Sequence, residues 1–523
     1  LVSSPREPRV VVVGAGMGGL VSALLLASRG VAVTVVDAAP APGGKMRQQV
    51  LGDARIDAGP TVLTMRWVFE AILAEAGLSM DRLPAMQPLQ VLARHAWRTS
   101  PQRLDLLADP ALAADAIAQF AGPAEARRYQ AFCREARAVY EAVAPSAIRG
   151  PRPTLPSMVR DLGPAGLTTL TGLGPLASLW RRLGHHFRDP RLRQLFGRYA
   201  TYCGGSPWQA PATLMLVAHV EQSGVWSVQG GMHALAQALA GLASAQGATV
   251  RYGARCDLIG VRDGRVCGVR LAGGDWLSAD AVVFNGDAQA LATGLLGSEV
   301  VAAVRPTPRE ARSLSALTWS VHGRTEGFPL VRHNVFFDDD YDSEFRDVFQ
   351  RRRLPGKGTV YVCAQDRDDR ARFDGPERLL LLVNAPPDGD KFPLDAPEID
   401  ACLNRSLALM QHAGLRLDPQ ARRVATTPAD FHRMFPGTGG ALYGPATHGW
   451  MSVFRRPGAR SRVQGLMLAG GSVHPGPGVP MAALSGRQAA AAVMEHLAST
   501  SRFHLAATSG GTSMRSATMV DTV

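Results

Sequence analysis

Residues 9–37 read RVVVVGAGMGGLVSALLLASRGVAVTVVD, and this stretch decides the fold. The β-branched run at 9–13 predicts a strand buried on both faces. Residues 20–30 have the apolar spacing of a helix and end at a glycine, which is typical of a helix C-terminus. Residues 31–36 predict a second strand, so the stretch forms a complete β-α-β unit of an α/β protein.

The turn after the first strand carries glycines in the spacing GxGxxG, at Gly14, Gly16 and Gly19. The first glycine permits a tight turn, the second lets the backbone approach a pyrophosphate, and the third lets helix and strand pack closely. A pyrophosphate there would lie on the helix N-terminus. Asp37 ends the second strand, where an acid can bind ribose hydroxyls. A glycine turn that only packs is the alternative, but the strand, helix and acid together favour a dinucleotide site.

Two further features favour FAD over NAD as the dinucleotide. Gly43, Gly44, Lys45 and Arg47 follow soon after the β-α-β unit, where many flavoproteins continue their cofactor contacts. A second glycine-rich segment at 466–486 has the pattern of a strand, a loop and a helix start. We find no second GxGxxG between a strand and a helix, so we expect no nicotinamide site. Electrons are therefore expected to pass to dioxygen or a membrane quinone.

The composition is that of an ordinary globular protein, with 46% hydrophobic and 19% charged residues. The net charge of +12 is compatible with anionic lipid or nucleic acid. We expect no nucleic-acid partner, because aromatic residues do not alternate with the basic runs. No apolar run reaches the length of about 18 residues that a transmembrane helix needs. No cysteine pair has CxxC spacing, so we expect no metal site.

Five further segments are predicted along the chain. Residues 105–200 are mainly helices broken by proline and glycine. Residues 232–246 predict an amphipathic helix, and the strands that follow it up to residue 285 predict a meander. Residues 331–383 predict further strands with charged loops. The tail 499–523 is rich in Ser, Thr, Ala and Gly and is predicted to be disordered.

Several segments between residues 9 and 498 give the chain a family resemblance. It resembles the bacterial carotenoid (phytoene) desaturases, and more closely their 1-hydroxycarotenoid 3,4-desaturase branch (methoxyneurosporene dehydrogenases). DAGPT and HPGPGVP are specific to the desaturase group, whereas TMRWVF and GVPMAALSG favour the hydroxycarotenoid branch. The segments include DAGPTVLTMRWVFE (57–70), CGGSPWQAPAT (203–213), GVWSVQGGMHAL (224–235), ADAVVFNGD (279–287) and AGGSVHPGPGVPMAALSG (469–486). One departure is the charged loop QDRDDRARFDG (365–375), where related enzymes are more apolar.

The resemblance implies a Rossmann-like FAD-binding domain of the glutathione-reductase/GDI-like type, a β-sheet substrate domain and a helical, membrane-facing cap. It assigns 1–75, 220–290 and 455–498 to the FAD domain and 105–200 to the cap. The substrate domain takes 76–104, 201–219 and 291–454. Acyclic carotenoids are the implied substrate and product.

The resemblance also implies where the cofactor is contacted. Gly59, Pro60 and Thr61 are expected to approach the isoalloxazine, and Gly471 and Ser472 the pyrophosphate or ribityl chain. Val479, Pro480 and Met481 begin the last helix, whose positive end is suited to an anionic reduced flavin.

Desaturation removes a hydride from one carbon and a proton from its neighbour. The cofactor supplies this chemistry, and the protein supplies orientation and a dry tunnel. A strong base is not obviously required. His474 and Asp57 are the candidate catalytic residues, but both side chains are also suited to holding loops near the cofactor.

Four residues are candidates for contacting the substrate. Trp67 and Trp226 are suited to lining an apolar tunnel, although plain core packing explains them equally well. A 1-hydroxy substrate also needs a polar partner for its hydroxyl. Thr64 and Arg66 are candidates for it, with a solvated surface arginine as the alternative.

Residues 162–188 predict a membrane-docking segment, because leucines and a tryptophan there precede Arg181, Arg182 and Arg188. A buried cap helix is the alternative. Docking is favoured because an insoluble substrate has to be collected from lipid. We therefore expect a cytoplasmic protein that is peripheral on the inner membrane.

Three other functions stay open from the sequence. The nearest is a multi-step phytoene desaturase. Another flavin oxidase, such as an amine oxidase or protoporphyrinogen oxidase, is disfavoured by DAGPT and HPGPGVP. A non-enzymatic prenyl-lipid carrier of the same fold, like the Rab GDP-dissociation inhibitors, is disfavoured by the intact glycine motif.

Overall fold

Five parallel strands from distant parts of the chain form the sheet that begins at residue 9. The computed structural model describes residues 7–174, 176–367 and 373–508, with side chains through residue 500. In sheet order the strands are Thr249–Arg251, Ala32–Val36, Arg9–Val13, Ala281–Phe284 and Leu466–Leu468. All five lie within the stretches assigned above to the FAD domain, whose exact boundaries stay a prediction.

The helix of the β-α-β unit, Met17–Ala27, is buried along its whole length. It lies between the sheet and two other helices, Met232–Ala245 and Val479–Thr508. This position explains why its sequence has no polar face. The last helix runs on to Thr508, so residues 499–508 are helical and not part of a disordered tail. Residues 509–523 of the predicted tail lie outside the described residues.

A seven-stranded sheet forms a second body of β-structure, and its neighbouring strands are antiparallel except for the pair His333–Phe337 and Val91–Trp97. Leu379 and Leu381 point to the face that packs on helix Ala396–His412, and Leu380 between them points to the opposite face. In sheet order the strands are Arg422–Thr426, Ser315–Gly323, Glu377–Ala385, Val360–Ala364, His333–Phe337, Val91–Trp97 and Ser100–Leu107.

The meander contains fewer strands than the sequence predicts. Its three antiparallel strands are Cys256–Arg262, Arg265–Leu271 and Trp276–Ser278. The flanking strands 249–251 and 281–284 join the parallel sheet instead, and the second of them is buried at every residue between two neighbours. The remaining short strands are Gln48–Leu51, Ala54–Asp57, Leu63–Thr64, Met86–Pro88, Val225–Val228, Thr325–Glu326 and Arg416–Leu417.

The helical layer predicted for 105–200 is present, although strand Ser100–Leu107 extends past its predicted start. Aromatic side chains such as Phe132 and Phe196 form its core against the seven-stranded sheet. Its helices are Pro110–Ala121, Pro123–Ala144, Leu155–Leu173, Leu179–His186, Pro190–Gly197 and Tyr199–Tyr202, followed by Leu216–Gln222.

The other helices connect the sheets. They are Trp67–Glu75, Ala288–Ala292, Tyr341–Phe345, Pro428–Met434 and Ser452–Arg455. Within the described ranges, no helix has both the length and the apolar character needed to cross a bilayer.

Candidate active site

Each of the three glycines in the turn has its own structural reason. Gly14 has a φ of +108°, a conformation that favours glycine. A Cβ on Gly19 would lie 2.0 Å from the carbonyl oxygen of Gly14, so Gly19 permits the helix to start against the strand. A Cβ on Gly16 would lie 2.7 Å from Nδ2 of Asn285, at the end of the neighbouring strand. The turn is therefore shaped by packing as well as by any ligand.

A cavity of about 1800 Å³ extends from this turn to the helical layer. Gly14 and Gly16 line it, and so do Leu162 and Leu170 of the helix Leu155–Leu173. Cavities for one small molecule have volumes of roughly 300–1000 Å³. This cavity therefore has room for a cofactor and a second large ligand.

Asp37 supports the turn from the end of the second strand. Its Oδ2 accepts a hydrogen bond from the backbone N–H of Ala15 (2.6 Å), and its Oδ1 accepts one from Ala39 (2.7 Å). Burial raises the pKa of this carboxyl, and the two backbone bonds oppose the rise. Asp37 also lines the cavity, so one side chain both holds the turn and faces the ligand.

Two basic residues, Lys45 and Arg456, line the cavity near the glycine turn. Nζ of Lys45 donates to the carbonyl oxygen of Leu442 (2.5 Å), and Arg456 donates to the carbonyl oxygens of Tyr443 (2.9 Å) and Gly471 (3.2 Å). Burial lowers the pKa of Lys45 and lowers that of Arg456 to about 10. Arg456 therefore carries positive charge at neutral pH. Arg456 was not singled out from the sequence, because nothing there distinguishes it from a surface arginine.

Most cofactor candidates face the same cavity. Gly19 does not line it and serves packing alone. A Cβ on Gly59 would lie 1.8 Å from the carbonyl oxygen of Lys45, so that loop also needs its glycine. The candidates that line the cavity are Gly14, Gly16, Asp37, Gly43, Gly44, Lys45, Arg47, Gly59, Pro60, Thr61, Gly471, Ser472, Val479, Pro480 and Met481.

These residues fit the diphosphate of FAD. No side chain caps the helix that begins after Gly16, so its first N–H groups are open to an anion. Arg456 adds positive charge, and Nζ of Lys45 adds a hydrogen-bond donor. Together they form a cradle for a large anionic cofactor.

The candidate base Asp57 lies outside the cavity lining. Its carboxylate accepts hydrogen bonds from the backbone N–H groups of Met232 (2.5 Å) and His233 (3.4 Å) and from Nε2 of Gln48 (3.2 Å). It therefore caps the helix Met232–Ala245. This geometry favours the loop-holding role over the catalytic one.

The candidate base His474 is also directed away from the cavity. It is fully buried, and its Nε2 lies 3.1 Å from the carbonyl oxygen of Gly150. Burial lowers its pKa to about 4. The geometry again favours a structural role, and sequence position alone did not show which way the ring points.

Among the four substrate candidates, only Thr64 lines the cavity. Arg66 pairs with Glu70 (3.5 Å) on the outer face of its helix. The guanidinium of Arg149 stacks over the Trp67 ring at 4.7 Å, and Trp226 packs against the main core. Both tryptophans therefore pack against other protein groups and do not line the cavity, as the core-packing alternative predicts.

The sequence did not identify a polar group that lines the cavity on the side of the helical layer. It comprises Arg198, Tyr202, Glu221 and Tyr361. Burial raises the pKa of Glu221 to about 7. The first two residues are four positions apart in RYATYC, but that spacing alone does not distinguish a cavity wall from an ordinary helix face.

Two curated relatives match the chain along nearly its whole length. It is 62% identical over 516 residues to the hydroxyneurosporene desaturase of Rubrivivax gelatinosus, with 98% of each chain covered. It is 45% identical over 496 residues to the hydroxyneurosporene desaturase of Cereibacter sphaeroides, covering 95% of this chain and 99% of the relative.

Solved structures match the fold at much lower identity. An oxidoreductase from Methanosarcina mazei aligns with a TM-score of 0.57 and 16% identity, covering 93% of this chain and all of the other. The cyclohexylamine oxidase of Brevibacterium oxydans aligns with a TM-score of 0.55 and 16% identity, covering 94% of this chain and 100% of the other. At this identity the likeness shows the fold alone.

The glycine cradle and the fold agree with a family match. Residues 17–494 match the flavin containing amine oxidoreductases. This chain belongs to the flavin containing amine oxidoreductase family.

Proposed function

We propose that this protein is an FAD-dependent desaturase of acyclic carotenoids, and that it introduces the 3,4 double bond into 1-hydroxy- or 1-methoxycarotenoids such as hydroxyneurosporene. The observation that carries the proposal is one cavity that joins the FAD cradle to an apolar wall of the helical layer. Relatives with up to 62% identity are hydroxyneurosporene desaturases, which supports the choice of substrate.

FAD, when bound, supplies the hydride acceptor. The chain's own residues bind the cofactor, orient the substrate and keep the site dry. Gly59 and Pro60 present a close-packed loop to the cavity, and the helix that begins at Val479 directs its positive end toward it. Leu380 and Leu382 form part of an apolar wall that excludes water. Because the carboxylate of Asp57 and Nε2 of His474 are held by other partners, we propose that the reaction uses neither residue as a base.

We propose that the substrate enters from a membrane surface next to the helix Leu155–Leu173. Leu155, Val159 and Leu167 are 48%, 52% and 37% exposed, and all three also line the cavity. Exposed apolar side chains at a cavity wall suit collection of an insoluble ligand from lipid. Within the predicted segment 162–188, Leu167 and Leu176 are exposed, whereas Leu173, Leu179 and Leu183 are buried. The proposed docking surface therefore combines part of that segment with Leu155 and Val159 upstream of it. We propose the cytoplasmic face of the inner membrane as the location.

We propose that dioxygen or a membrane quinone reoxidises the flavin. The support is the sequence, which has one GxGxxG between a strand and a helix and no second one for a nicotinamide. Stoichiometric reduction of NADP⁺ under anaerobic conditions would contradict this.

The test is incubation of the FAD-loaded protein with several acyclic carotenoids in liposomes, with the products identified by mass and absorbance. We expect a hydroxylated carotenoid to lose two hydrogens and gain one conjugated double bond. Turnover of phytoene at the same rate would favour a multi-step desaturase. Bleaching of the flavin by amines but not by polyenes would favour an amine oxidase. A purified protein without FAD would favour a lipid carrier.

A further inference from the structure

The polar group on the cavity wall stands out because its surroundings are apolar. Arg198 lies just before the helix Tyr199–Tyr202, and Glu221 lies in the helix Leu216–Gln222. Both line the cavity. The hydroxyl of Tyr199 donates to Oε2 of Glu221 (2.7 Å), which holds the carboxyl in place from the side away from the cavity.

Arg198 has hydrogen-bonding capacity that the described residues do not use. Its side chain is 93% buried (7% exposed), and its Nε has no hydrogen-bond partner within the described ranges. Its guanidinium carbon lies 5.4 Å from the centre of the Tyr361 ring. A buried charged donor without a full set of partners is costly. Nε itself is enclosed by protein, but Arg198 lines the cavity, so a ligand oxygen there can meet its guanidinium.

The group is placed close to the predicted position of the flavin ring. The hydroxyl of Tyr361 lies 2.6 Å from Oγ1 of Thr61 and 2.7 Å from Nδ1 of His333. Thr61 belongs to the loop expected to approach the isoalloxazine. The polar group and the reaction centre are therefore neighbours along one wall.

The proposed substrate requires this proximity. A single carbon separates C1, which carries the hydroxyl, from C3 of the bond to be oxidised. The residues that recognise the hydroxyl must therefore lie beside the flavin and not at the far end of the tunnel. Arg66 does not meet this condition, because it pairs with Glu70 away from the cavity.

We propose that Arg198 and Glu221 bind the C1 oxygen of the substrate and select hydroxylated carotenoids over those that end in a hydrocarbon. This inference rests on the proposed function. A hydroxyl offers one donor and two acceptor positions. It accepts from Arg198 and donates to Glu221. A hydrocarbon end would leave Arg198 without this partner and Glu221 with only its hydrogen bonds to tyrosine hydroxyls, and such a mismatch discriminates strongly.

The test is the ratio of kcat/KM for 1-hydroxyneurosporene to that for neurosporene, measured in the same liposomes. The double variant Arg198→Met/Glu221→Met removes both partners together, so no lone buried charge is left. We expect the ratio to fall by about 10- to 100-fold, with turnover of neurosporene retained. Retention of each carotenoid by the protein in detergent gives a second readout, which should lose the same preference.

Glu344→Gln is the matched control. Glu344 is equally buried but binds Thr359 and Asn384 and does not line the cavity, so its variant should keep the ratio. If the double variant does not fold, Glu221→Gln should still lower the ratio severalfold. An unchanged ratio in a folded variant overturns the proposal while the desaturase function stands. A protein that oxidises neither carotenoid contradicts the proposed function itself.

Discussion

Oδ2 of Asp57 accepts a hydrogen bond from the backbone N–H of Met232 at 2.5 Å, across 175 positions of sequence. This contact joins the DAGPT loop to the start of the helix Met232–Ala245. A Cβ on Gly231 would lie 2.2 Å from the same oxygen, so the loop and the helix fit only with glycine there. Asp57 thus acts on the site by positioning the loop that carries Gly59, Pro60 and Thr61.

This relationship predicts a loss of stability when the carboxylate is removed. Asp57→Ala should lower the free energy of unfolding by about 1–3 kcal/mol, because a helix cap is lost and a buried N–H is left unpaired. Asp57→Asn keeps an acceptor and should lose less. Urea unfolding of both variants measures this. Turnover per bound FAD in Asp57→Asn should stay close to that of the unmodified protein, and a large loss there would restore Asp57 as a catalytic base.

The cradle predicts that FAD content depends on the glycine turn. Gly16→Val should displace Asn285 and obstruct the cavity, so the purified protein should contain little FAD. Gly241→Val is the matched control, since Gly241, like Gly16, has no positive φ, and a Cβ there meets nothing within 4 Å. FAD released on denaturation is the measurement. A folded Gly16→Val protein with normal FAD content would contradict the assignment of the cradle.

The burial of Glu221 predicts a specific pH dependence of stability. Its pKa rises from 4.5 to about 7 on folding, so the folded state favours the protonated form. The stability linked to this carboxyl is fully present below pH 4.5 and is lost as the pH rises through 7. Arg198, Tyr199 and Tyr202 are the charged and titratable groups that act on it.

Glu221→Gln should remove this dependence. Its stability relative to the unmodified protein should rise with pH, by up to about 3 kcal/mol between the two pKa values. Thermal unfolding of both proteins from pH 5 to 8 measures the difference, and subtraction removes the contribution of all other carboxyls. A constant difference across this range would show that Glu221 does not titrate there.

The exposed apolar surface of the helix Leu155–Leu173 predicts membrane binding. The triple change Leu155→Ser, Val159→Ser and Leu167→Ser should weaken binding to anionic liposomes by about 3 kcal/mol, or roughly 100-fold. Co-sedimentation with liposomes is the measurement. Leu112→Ser, Val301→Ser and Val424→Ser form the matched control, because these side chains are similarly exposed but do not line the cavity. Equal losses in both triple variants would argue against a specific docking surface.

The features predicted correctly from the sequence are local ones. Gly14, Gly16 and Gly19 between a strand and a helix indicate a cradle because turn geometry and helix N-termini act over a few residues. The direction in which a buried side chain points is harder to predict, because it depends on packing against residues that are distant in sequence. His474 lies in a specific motif, yet its ring turns to Gly150 and leaves the cavity. Arg198 and Glu221 could not be identified, because a polar residue on a short helix usually faces solvent.

The central claim is best tested by single-turnover oxidation under anaerobic conditions. FAD-loaded protein is mixed with liposomes that contain 1-hydroxyneurosporene or, separately, phytoene, and flavin absorbance is followed with the carotenoid product. We predict that the hydroxylated substrate bleaches the flavin and loses two hydrogens at the 3,4 bond, much faster than phytoene reacts. Equal rates would contradict the assignment to hydroxycarotenoids, and no bleaching by either carotenoid would contradict desaturation altogether.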